Sequence, residues 1–329
     1  MCVVDETGRK LWAGKCLSTP ESLAATIRER APHAQRVGIE TGPLCVWHFH
    51  RLKALGVPVV CIDARHAKAA LAMQVNKTDE NDAEGLAQIM RTGWFRAVHV
   101  KSFDAQWLRS LLHSRLQLVN MRRDASNQVR GALKMFGIVL PAGRRSTFDS
   151  LAREYIDSRI ELTAFIEPLL AAWKALGEQV PVLDKRLRQV AKENAVVRQL
   201  MSVPGVGVLI SLAYVATIDD PQRFAKSRNV GAHLGLAPRR FQSGEMDRRG
   251  SISQTGDALL RHYRYEAAGV LLTRTQRWST LIAWGVKLAK RIGMSKAKIA
   301  VARKLAIVLH RMWRTGESFR WGSETEVTT

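Results

Sequence analysis

The stretch RVGIETGPLCVWHFHRLKALGVPVVCI, residues 36 to 62, decides the fold of the N-terminal part of the chain. It contains two short, mostly apolar runs, RVGIE and VPVVCI, and between them the segment VWHFHRLKAL has the spacing of a helix. Short apolar runs of this kind are typical of buried strands. A strand, a helix and a second strand in that order predict at least partly parallel pairing, and therefore an α/β domain.

The sequence before this stretch extends the same pattern, so we expect residues 1 to 100 to form one α/β domain. MCVVDETGRKLWAGKC indicates two strands around a turn at residues 5 to 8. TPESLAATIRERA predicts a helix with Thr19 as its N-cap and Pro20 just inside it.

Residues 101 to 195 are predicted to be helical, because the strand signal disappears there. Apolar residues recur mostly three or four positions apart, as in Leu151, Tyr155, Leu162, Ile166, Leu169, Trp173 and Leu176. We expect Pro168 and Pro181 to prevent a single uninterrupted helix. The pattern fits either an ordinary helical core or a coiled-coil arm used for self-association.

A third unit is predicted over residues 196 to 329, and it begins with LMSVPGVGVLISLAYVATI. Helix, PGVG and helix match a helix-hairpin-helix, in which Gly205 and Gly207 allow a tight turn. The backbone amides at the start of the second helix could then face a DNA phosphate. The alternative is a Pro-Gly turn that only joins two structural helices.

The charge of the chain predicts a polyanionic partner. The 329 residues include 51 Lys+Arg and 29 Asp+Glu, a net charge of +22, and residues 231 to 329 alone carry 18 Lys+Arg and 7 Asp+Glu. Clustered cations gain affinity for nucleic acid by releasing counterions from phosphates. A ribosome-associated or merely basic protein is the alternative. Tryptophans such as Trp284 and Trp313 are expected to be packing or interface residues.

Cysteine usage and hydropathy fit a protein of a reducing cytoplasm. Cys2, Cys16, Cys45 and Cys61 form no C-x-x-C pair, so they indicate neither a zinc site nor a disulfide framework. The apolar runs are too short to cross a bilayer and lack the flanks of an export signal.

Three acidic residues suggest a metal site. Asp79 and Asp82 would share one face at the start of a helix, although acids in a first turn are also favoured by the helix dipole, and Thr78 or Asp79 is a good N-cap. Glu40 ends a buried strand, where α/β proteins build their sites. Carboxylates brought together are stabilised by a divalent cation such as Mg²⁺. In a protein that binds nucleic acid, this predicts metal-assisted phosphoryl transfer.

Four motifs resemble those of a known family over essentially the whole chain. VGIETG, NKTDENDAEGLA, VPGVG and NVGAHLGLAPRRFQSGEMDRRGSISQTGDALLR are similar, in that order, to the signatures of the bacterial DEDD insertion-sequence transposases, which include the bridge-RNA-guided recombinases. The resemblance implies an α/β plus all-α protein. Its parts would be a RuvC-like (RNase H fold) domain, a helical coiled-coil insertion and a mainly helical C-terminal transposase domain.

The resemblance also implies roles for individual residues. Glu40, Asp79 and Asp82 match metal-binding carboxylates of the family, and Ser243 matches the serine that attacks DNA to form a 5′-phosphoserine intermediate. On the residues alone, Ser251 and Ser253 would be equally good candidates. Candidate nucleic-acid contacts are Gly205, Gly207, Arg239, Arg240, Arg248, Arg249 and Arg261.

The implied partners are the DNA of the element ends and the target, a structured guide RNA, and further copies of the chain in a dimer that assembles into a tetramer. The implied location is the bacterial cytoplasm at the nucleoid. Two other functions stay open: a catalytically decayed relative that binds DNA or RNA, and a Holliday-junction-type nuclease without a serine nucleophile.

One feature of the family pattern is expected to be missing. The pattern begins with an Asp in an internal first strand, whereas DETGRK at residues 5 to 10 aligns with the turn between the second and third strands. That leaves three carboxylates where the family uses four, and Asp5 is a poor substitute because it lies in a turn. We expect Met1 to be an internal methionine, from either a mis-called gene start or a decayed element, and a longer form with the missing strand to be the active one.

Overall fold

The computed structural model describes residues 1 to 72, 76 to 141, 147 to 157 and 159 to 321, with the side chain of Arg249 left out. The chain divides into two compact units, Met1–Phe103 and Asp104–Thr329. Each unit has hydrophobic clusters of its own. A further boundary between residues 195 and 196 stays a prediction.

The first unit is an α/β unit in which the predicted parallel strand pair is present. Its elements are β1 (Cys2–Val4), β2 (Lys10–Ala13), α1 (Pro20–Arg30), β3 (Val37–Glu40), α2 (Cys45–Ala54), β4 (Val59–Ile62), α3 (Ala64–Leu71) and α4 (Asp79–Thr92). Strands β3 and β4 pair in parallel, with Glu40 opposite Ile62. This confirms the strand-helix-strand prediction for residues 36 to 62.

The strands of the first unit belong to two separate sheets. β1 pairs only with β2, in an antiparallel hairpin, and within the described residues no strand joins that hairpin to the β3–β4 pair. Helix α4 packs against β1, β2 and β3. A continuous RuvC-like sheet is therefore not formed by these strands, and the RuvC-like fold stays a proposal.

The second unit begins with a helical region. Its first elements are α5 (Phe103–Met135), α6 (Phe148–Ile156) and α7 (Ile160–Glu193). Helices α5 and α7 run antiparallel, because Leu112 near the start of α5 shares a cluster with Leu187 near the end of α7. At the other end, Leu133 of α5 shares a second cluster with Ile166 of α7. These contacts are those of a helical core, and a coiled-coil arm for self-association stays a prediction.

The expectation that two prolines interrupt this region is wrong. Pro168 and Pro181 both lie inside the continuous helix α7. Proline in a helix interior loses one backbone hydrogen bond and costs roughly 3 kcal/mol. Burial of Leu162, Ile166 and Leu170 on the same helix offsets that cost, since burying each such side chain stabilises by about 1.5 to 3 kcal/mol.

The rest of the second unit is a helical core with one β-hairpin. Its elements are α8 (Ala195–Leu200), α9 (Val208–Ile218), a 3₁₀ turn (Pro221–Arg223), α10 (Arg228–His233), β5 (Pro238–Ser243), β6 (Met246–Ile252), α11 (Ala258–Thr273), α12 (Thr280–Ile292) and α13 (Met294–Thr315). Leu212, Leu260 and Leu305 are fully buried in the shared core of these helices. Strands β5 and β6 pair only with each other, in antiparallel register.

Candidate nucleic-acid and catalytic site

Glu40 is the last residue of β3, at the carboxyl end of the parallel pair. Partial burial raises the pKa of its carboxyl group, and the negative charge of Asp82 raises it further, while Lys77 acts in the opposite direction. Glu40 and Asp82, which are 42 positions apart in the sequence, are therefore close enough in space for their charges to interact. The structure brings together two of the three predicted carboxylates.

Asp79 and Asp82 lie in the first turn of α4, where the sequence pattern predicts a helix start. Thr78 is the N-cap, and its hydroxyl accepts a hydrogen bond of 3.1 Å from the Asn81 amide. Capping therefore does not need Asp79. Other acids on this helix are held by Lys10 of β2, whose Nζ lies 2.7 Å from Glu84 and 3.5 Å from Glu80.

Among the three predicted carboxylates, only Glu40 and Asp82 interact electrostatically in the structure. In the part of the chain that the structure describes, no three His, Cys, Asp or Glu residues are grouped closely enough to hold a metal together. Asp79 thus does not join Glu40 and Asp82 in one group. Mg²⁺ commonly takes one or two protein carboxylates and completes its shell with water and substrate phosphates. The pKa of Glu40 is raised first by burial and second by the charge of Asp82, and a cation beside both carboxylates would counter the second effect.

Ser243 lies at the tip of the β5–β6 hairpin. It is exposed, it is the last residue of β5, and it pairs with Met246 across a two-residue turn. Gly244, the first residue of that turn, has φ of +54°, a conformation that favours glycine. The sequence SG is therefore what lets the hairpin turn and present the hydroxyl at its end.

Arg240 and Arg248 lie on opposite faces of the hairpin, a difference that the sequence alone did not show. Arg248 pairs with Phe241, so alternation along the strands places both on the face of Ser243. Arg240 lies on the opposite face, where its guanidinium makes two hydrogen bonds of 2.8 and 3.0 Å to Asp247. Arg248 is thus the better placed of the two to meet a phosphate at Ser243.

Arg239 and Arg249 are the two other candidate arginines of the hairpin. The Arg239 side chain lies on the same face as Phe241, because a Cβ on Gly250 would point at both, and it donates a 3.3 Å hydrogen bond to the Ser253 carbonyl. The backbone of Arg249 lies opposite Arg240.

The VPGVG segment connects two helices, as predicted, but its two glycines differ. Gly205 has φ of +79°, and a Cβ there would lie 2.8 Å from the carbonyl oxygen of Ala267 in α11. Gly205 is therefore required for packing, because a larger residue would clash with the α11 backbone. Gly207 is the exposed N-cap of α9, and a Cβ there would meet no atom within 4 Å. A helix-hairpin-helix contact with DNA stays a proposal, and Gly207 is the glycine that fits it.

Arg261 supports the chain at the start of α11. Its Nη1 donates hydrogen bonds of 3.3 and 3.0 Å to the carbonyls of Thr255 and Gly256, and the residue is only half-buried. These bonds occupy part of its donor capacity and fix the loop that follows β6. Its role as a nucleic-acid contact stays a prediction.

Sequence reasoning missed Asp257, which is the N-cap of α11 and directly follows that loop. Its carboxylate accepts a hydrogen bond of 2.7 Å from the Leu260 amide and pairs with Arg109 of α5. Burial acts to raise the pKa of Asp257, but these partners outweigh it and leave the pKa lowered. The N-cap spacing in TGDALL could have identified the cap. The ion pair joins positions 148 residues apart and has no local signal.

Two family models match the chain. The model for the DEDD transposases of the IS110 group matches residues 1 to 138, and that for the IS116/IS110/IS902 transposase family matches residues 197 to 283. The first contains Glu40, Asp79 and Asp82, and the second contains Ser243.

Several curated transposases are similar over long stretches. The transposase for insertion sequence element IS1111A of Coxiella burnetii is 27% identical, with 98% of this chain and 88% of that protein covered. A putative transposase of Sinorhizobium fredii, y4pF/y4sB, is 30% identical over 74% of this chain and 64% of its own length. A probable family 20 transposase of Pseudomonas aeruginosa is 28% identical over 75% of each chain.

Within the described residues, no helix has both the length and the apolar composition needed to span a membrane. The function supported by the comparisons is that of an insertion-sequence transposase, a DNA-binding enzyme of the transposase and recombinase class. The acids of the first unit and the serine of the second lie in the two segments that the family models match. The chain belongs to the IS110 family of DEDD insertion-sequence transposases.

Proposed function

We propose that the protein cuts and rejoins DNA through a covalent intermediate on Ser243, with a divalent cation held by Glu40 and Asp82. The observation that carries this proposal is the position of Ser243. An exposed hydroxyl at the tip of a hairpin, on the same face as Arg248, can reach a phosphate of the DNA backbone. A buried serine of the core could not.

In the proposed step, Ser243 Oγ attacks phosphorus, and the bond from phosphorus to the 3′ oxygen breaks. The serine loses its proton, the DNA 3′ oxygen gains one, and the 5′ phosphate stays on the protein as a phosphoserine ester. Attack by the 3′ hydroxyl of another strand reverses these bond changes and joins new partners. The Arg248 guanidinium balances negative charge that develops on the phosphate oxygens.

Glu40 and Asp82 would hold the cation, and Asp79 would contact it only through a shift of side chain or helix. A bound divalent cation supplies Lewis-acid stabilisation of the scissile phosphate and lowers the pKa of an attacking hydroxyl. Glu40 and Asp82 belong to the first unit of the chain, and Ser243 belongs to the second. The proposal therefore requires both units to act on one DNA substrate.

The resemblance supports two further parts of the proposal. Exchange of two duplexes needs several protomers, so the protein is proposed to work as a dimer that assembles into a tetramer. The net charge of +22 is compatible with a bound guide RNA as well as DNA.

The second candidate function is a relative that binds DNA without cutting it. The grouping of only two acids, Glu40 and Asp82, among the described residues favours this alternative. A nuclease without a serine nucleophile is a third candidate, which would cut DNA in the presence of magnesium and leave no protein attached.

A denaturing gel separates these functions. Labelled element-end DNA, adjacent noncoding RNA and Mg²⁺ are incubated with the protein and with Ser243→Ala, using Ser251→Ala as the matched control because Ser251 is an exposed serine of the same hairpin. We expect a covalent protein–DNA band that only Ser243→Ala abolishes. DNA binding without a band supports the second candidate, and cleaved DNA without a band supports the nuclease.

The metal site has a test that does not depend on activity. Binding of Mg²⁺ should raise the melting temperature of the protein. We expect Glu40→Gln and Asp82→Asn to remove this increase, while Glu80→Gln, which changes an exposed acid on α4, leaves it in place. An unchanged increase in both site variants would place the cation elsewhere.

A further inference from the structure

A pocket in the second unit is lined by none of the residues of the proposed site. It has a volume of about 350 Å³ and is formed by α12, α13 and the segment that follows α13. Its lining residues are Thr280, Leu281, Trp284, Lys304, Val308, Arg311, Met312, Glu317, Ser318, Phe319 and Arg320. Pockets of a few hundred Å³ are large enough for a small organic group such as a nucleobase.

The floor of this pocket is apolar and one wall is aromatic. Leu281 and Met312 are buried in the core, and Val308 packs against it. Trp284 remains 42% exposed at the pocket wall. An exposed indole beside an apolar floor is suited to stacking against a flat, uncharged ring.

The rim of the pocket is cationic. The Lys304 Nζ lies over the Trp284 ring, 5.7 Å from its centre, and Arg311, another residue of the lining, is exposed. The one acid of the lining, Glu317, is held by Arg320 at 3.1 Å. A ligand with a flat ring and a negative charge matches this combination of wall and rim.

The wall that follows α13 is anchored to the core. Gln199 of α8 donates hydrogen bonds of 3.0 Å to the Met312 carbonyl and 2.7 Å to the Glu317 carbonyl. Phe319 packs against the core cluster. These contacts hold Glu317 and Phe319 of the pocket wall against the rest of the second unit.

The basic composition of the sequence around the pocket indicates that the ligand is part of a nucleic acid. Residues 267 to 316 contain 11 Lys+Arg and no Asp or Glu over 50 positions. A segment of this composition attracts phosphates through charge. A single stacking ring within it binds one base that is free of its pairing partner.

We propose that this pocket binds an unpaired nucleotide, with the base stacked on Trp284 and the adjacent phosphate held by Lys304 and Arg311. The proposal rests on the proposed function only in taking nucleic acid as the partner. Two sources have the required chemistry: a DNA nucleotide that is single-stranded or flipped out of a duplex, and an unpaired nucleotide of RNA.

The test compares single-stranded and duplex oligonucleotides. A short DNA strand that contains one 2-aminopurine is titrated with the full-length protein, and its fluorescence reports stacking. The same sequence is then used as single-stranded RNA and as duplex DNA. The variants are Trp284→Leu, Trp284→Phe, which keeps an aromatic ring, and Trp278→Leu as the matched control, because Trp278 is 48% exposed and does not line the pocket.

Stacking on one aromatic side chain contributes about 1 to 3 kcal/mol per base, which corresponds to a change of roughly 5- to 150-fold in affinity. We expect Trp284→Leu to weaken single-strand binding by about tenfold and to abolish 2-aminopurine quenching, while duplex affinity is unchanged. Trp284→Phe and Trp278→Leu should bind as the unmodified protein does. A loss confined to the DNA strand or to the RNA strand identifies the source of the nucleotide.

Two outcomes would overturn the proposal: equal single-strand affinity in Trp284→Leu and the unmodified protein, or an equal loss on duplex DNA. Thermal unfolding of each variant checks that the fold is retained, which is expected for half-exposed tryptophans. The covalent-adduct assay is independent of this result. If the adduct forms on Ser243 and Trp284→Leu does not change single-strand affinity, the proposed function is retained and the nucleotide-binding role of the pocket is refuted.

Discussion

The two glycines of VPGVG give a sharp prediction, because the structure assigns them different roles. Gly205→Ala places a methyl group 2.8 Å from the backbone carbonyl of Ala267 and forces a non-glycine residue to adopt φ of +79°. The left-handed backbone costs about 1 to 2 kcal/mol. Overpacking against a backbone atom that cannot rotate away costs about 1 to 3 kcal/mol more. We therefore expect the free energy of unfolding to fall by roughly 2 to 5 kcal/mol.

Gly207→Ala is the matched control two positions later. Its φ is −94°, and a Cβ would meet no atom within 4 Å. Replacing an N-cap glycine by alanine costs about 0.5 to 1 kcal/mol. If the start of α9 contacts a DNA phosphate, this variant weakens duplex binding while it keeps most of its stability.

Urea unfolding followed by tryptophan fluorescence measures the stability of both variants, and fluorescence anisotropy with a labelled duplex measures DNA binding. Equal stability of Gly205→Ala and the unmodified protein would refute the packing argument. A stable Gly205→Ala that binds DNA poorly would make Gly205 the contact instead of Gly207.

Three further predictions concern buried or partly buried charges. Arg264→Met should raise the free energy of unfolding, measured in urea, by roughly 1 to 4 kcal/mol, because the three guanidinium nitrogens are buried with no hydrogen-bond partner among the described residues. A lower free energy of unfolding would show that the contact of the guanidinium with the Tyr214 ring outweighs the cost of burial. Asp257→Asn should cost roughly 2 to 4 kcal/mol at pH 7 because it leaves Arg109 without its ion-pair partner. Because the folded protein lowers the pKa of Asp257, its contribution is lost as the pH falls below the ordinary value of 3.8, so the variant should show a flatter acid unfolding curve. Because the pKa of Glu40 is raised, protons compete with Mg²⁺ at a higher pH than they would at an ordinary glutamate. The increase in melting temperature that Mg²⁺ produces should therefore be lost at a higher pH than expected for an unperturbed carboxylate.

The strands and helices of the first unit are predictable from sequence, because each is indicated by apolar runs or capping residues within the element itself. The apolar runs around Glu40 and Ile62 predict two parallel strands, and Thr78 with the acids after it predicts the start of α4. Neither pattern says whether the strands join one continuous sheet, since that depends on pairing between distant segments. The separation of β1 from β3 was therefore not predictable from these runs.

Long-range packing explains the other differences. Pro168 predicts a break by local rules, and the buried neighbours of α7 override that prediction. Gly205 fits a DNA-binding turn by sequence, and its close approach to Ala267 is visible only in three dimensions. The arginines around Ser243 are equivalent by position, and strand pairing alone separates Arg240 from Arg248.

The identity of the nucleophile is tested most directly by mapping the covalent adduct with mass spectrometry. Trypsin cuts after Arg240 and Arg248 and releases the peptide FQSGEMDR, in which Ser243 is the only hydroxyl-bearing residue. After incubation with element-end DNA and Mg²⁺ and digestion of the DNA, we predict that this peptide carries a 5′-linked nucleotide. A nucleotide on GSISQTGDALLR, which contains Ser251 and Ser253, would contradict the assignment of Ser243, as would a cleaved DNA end with no modified peptide.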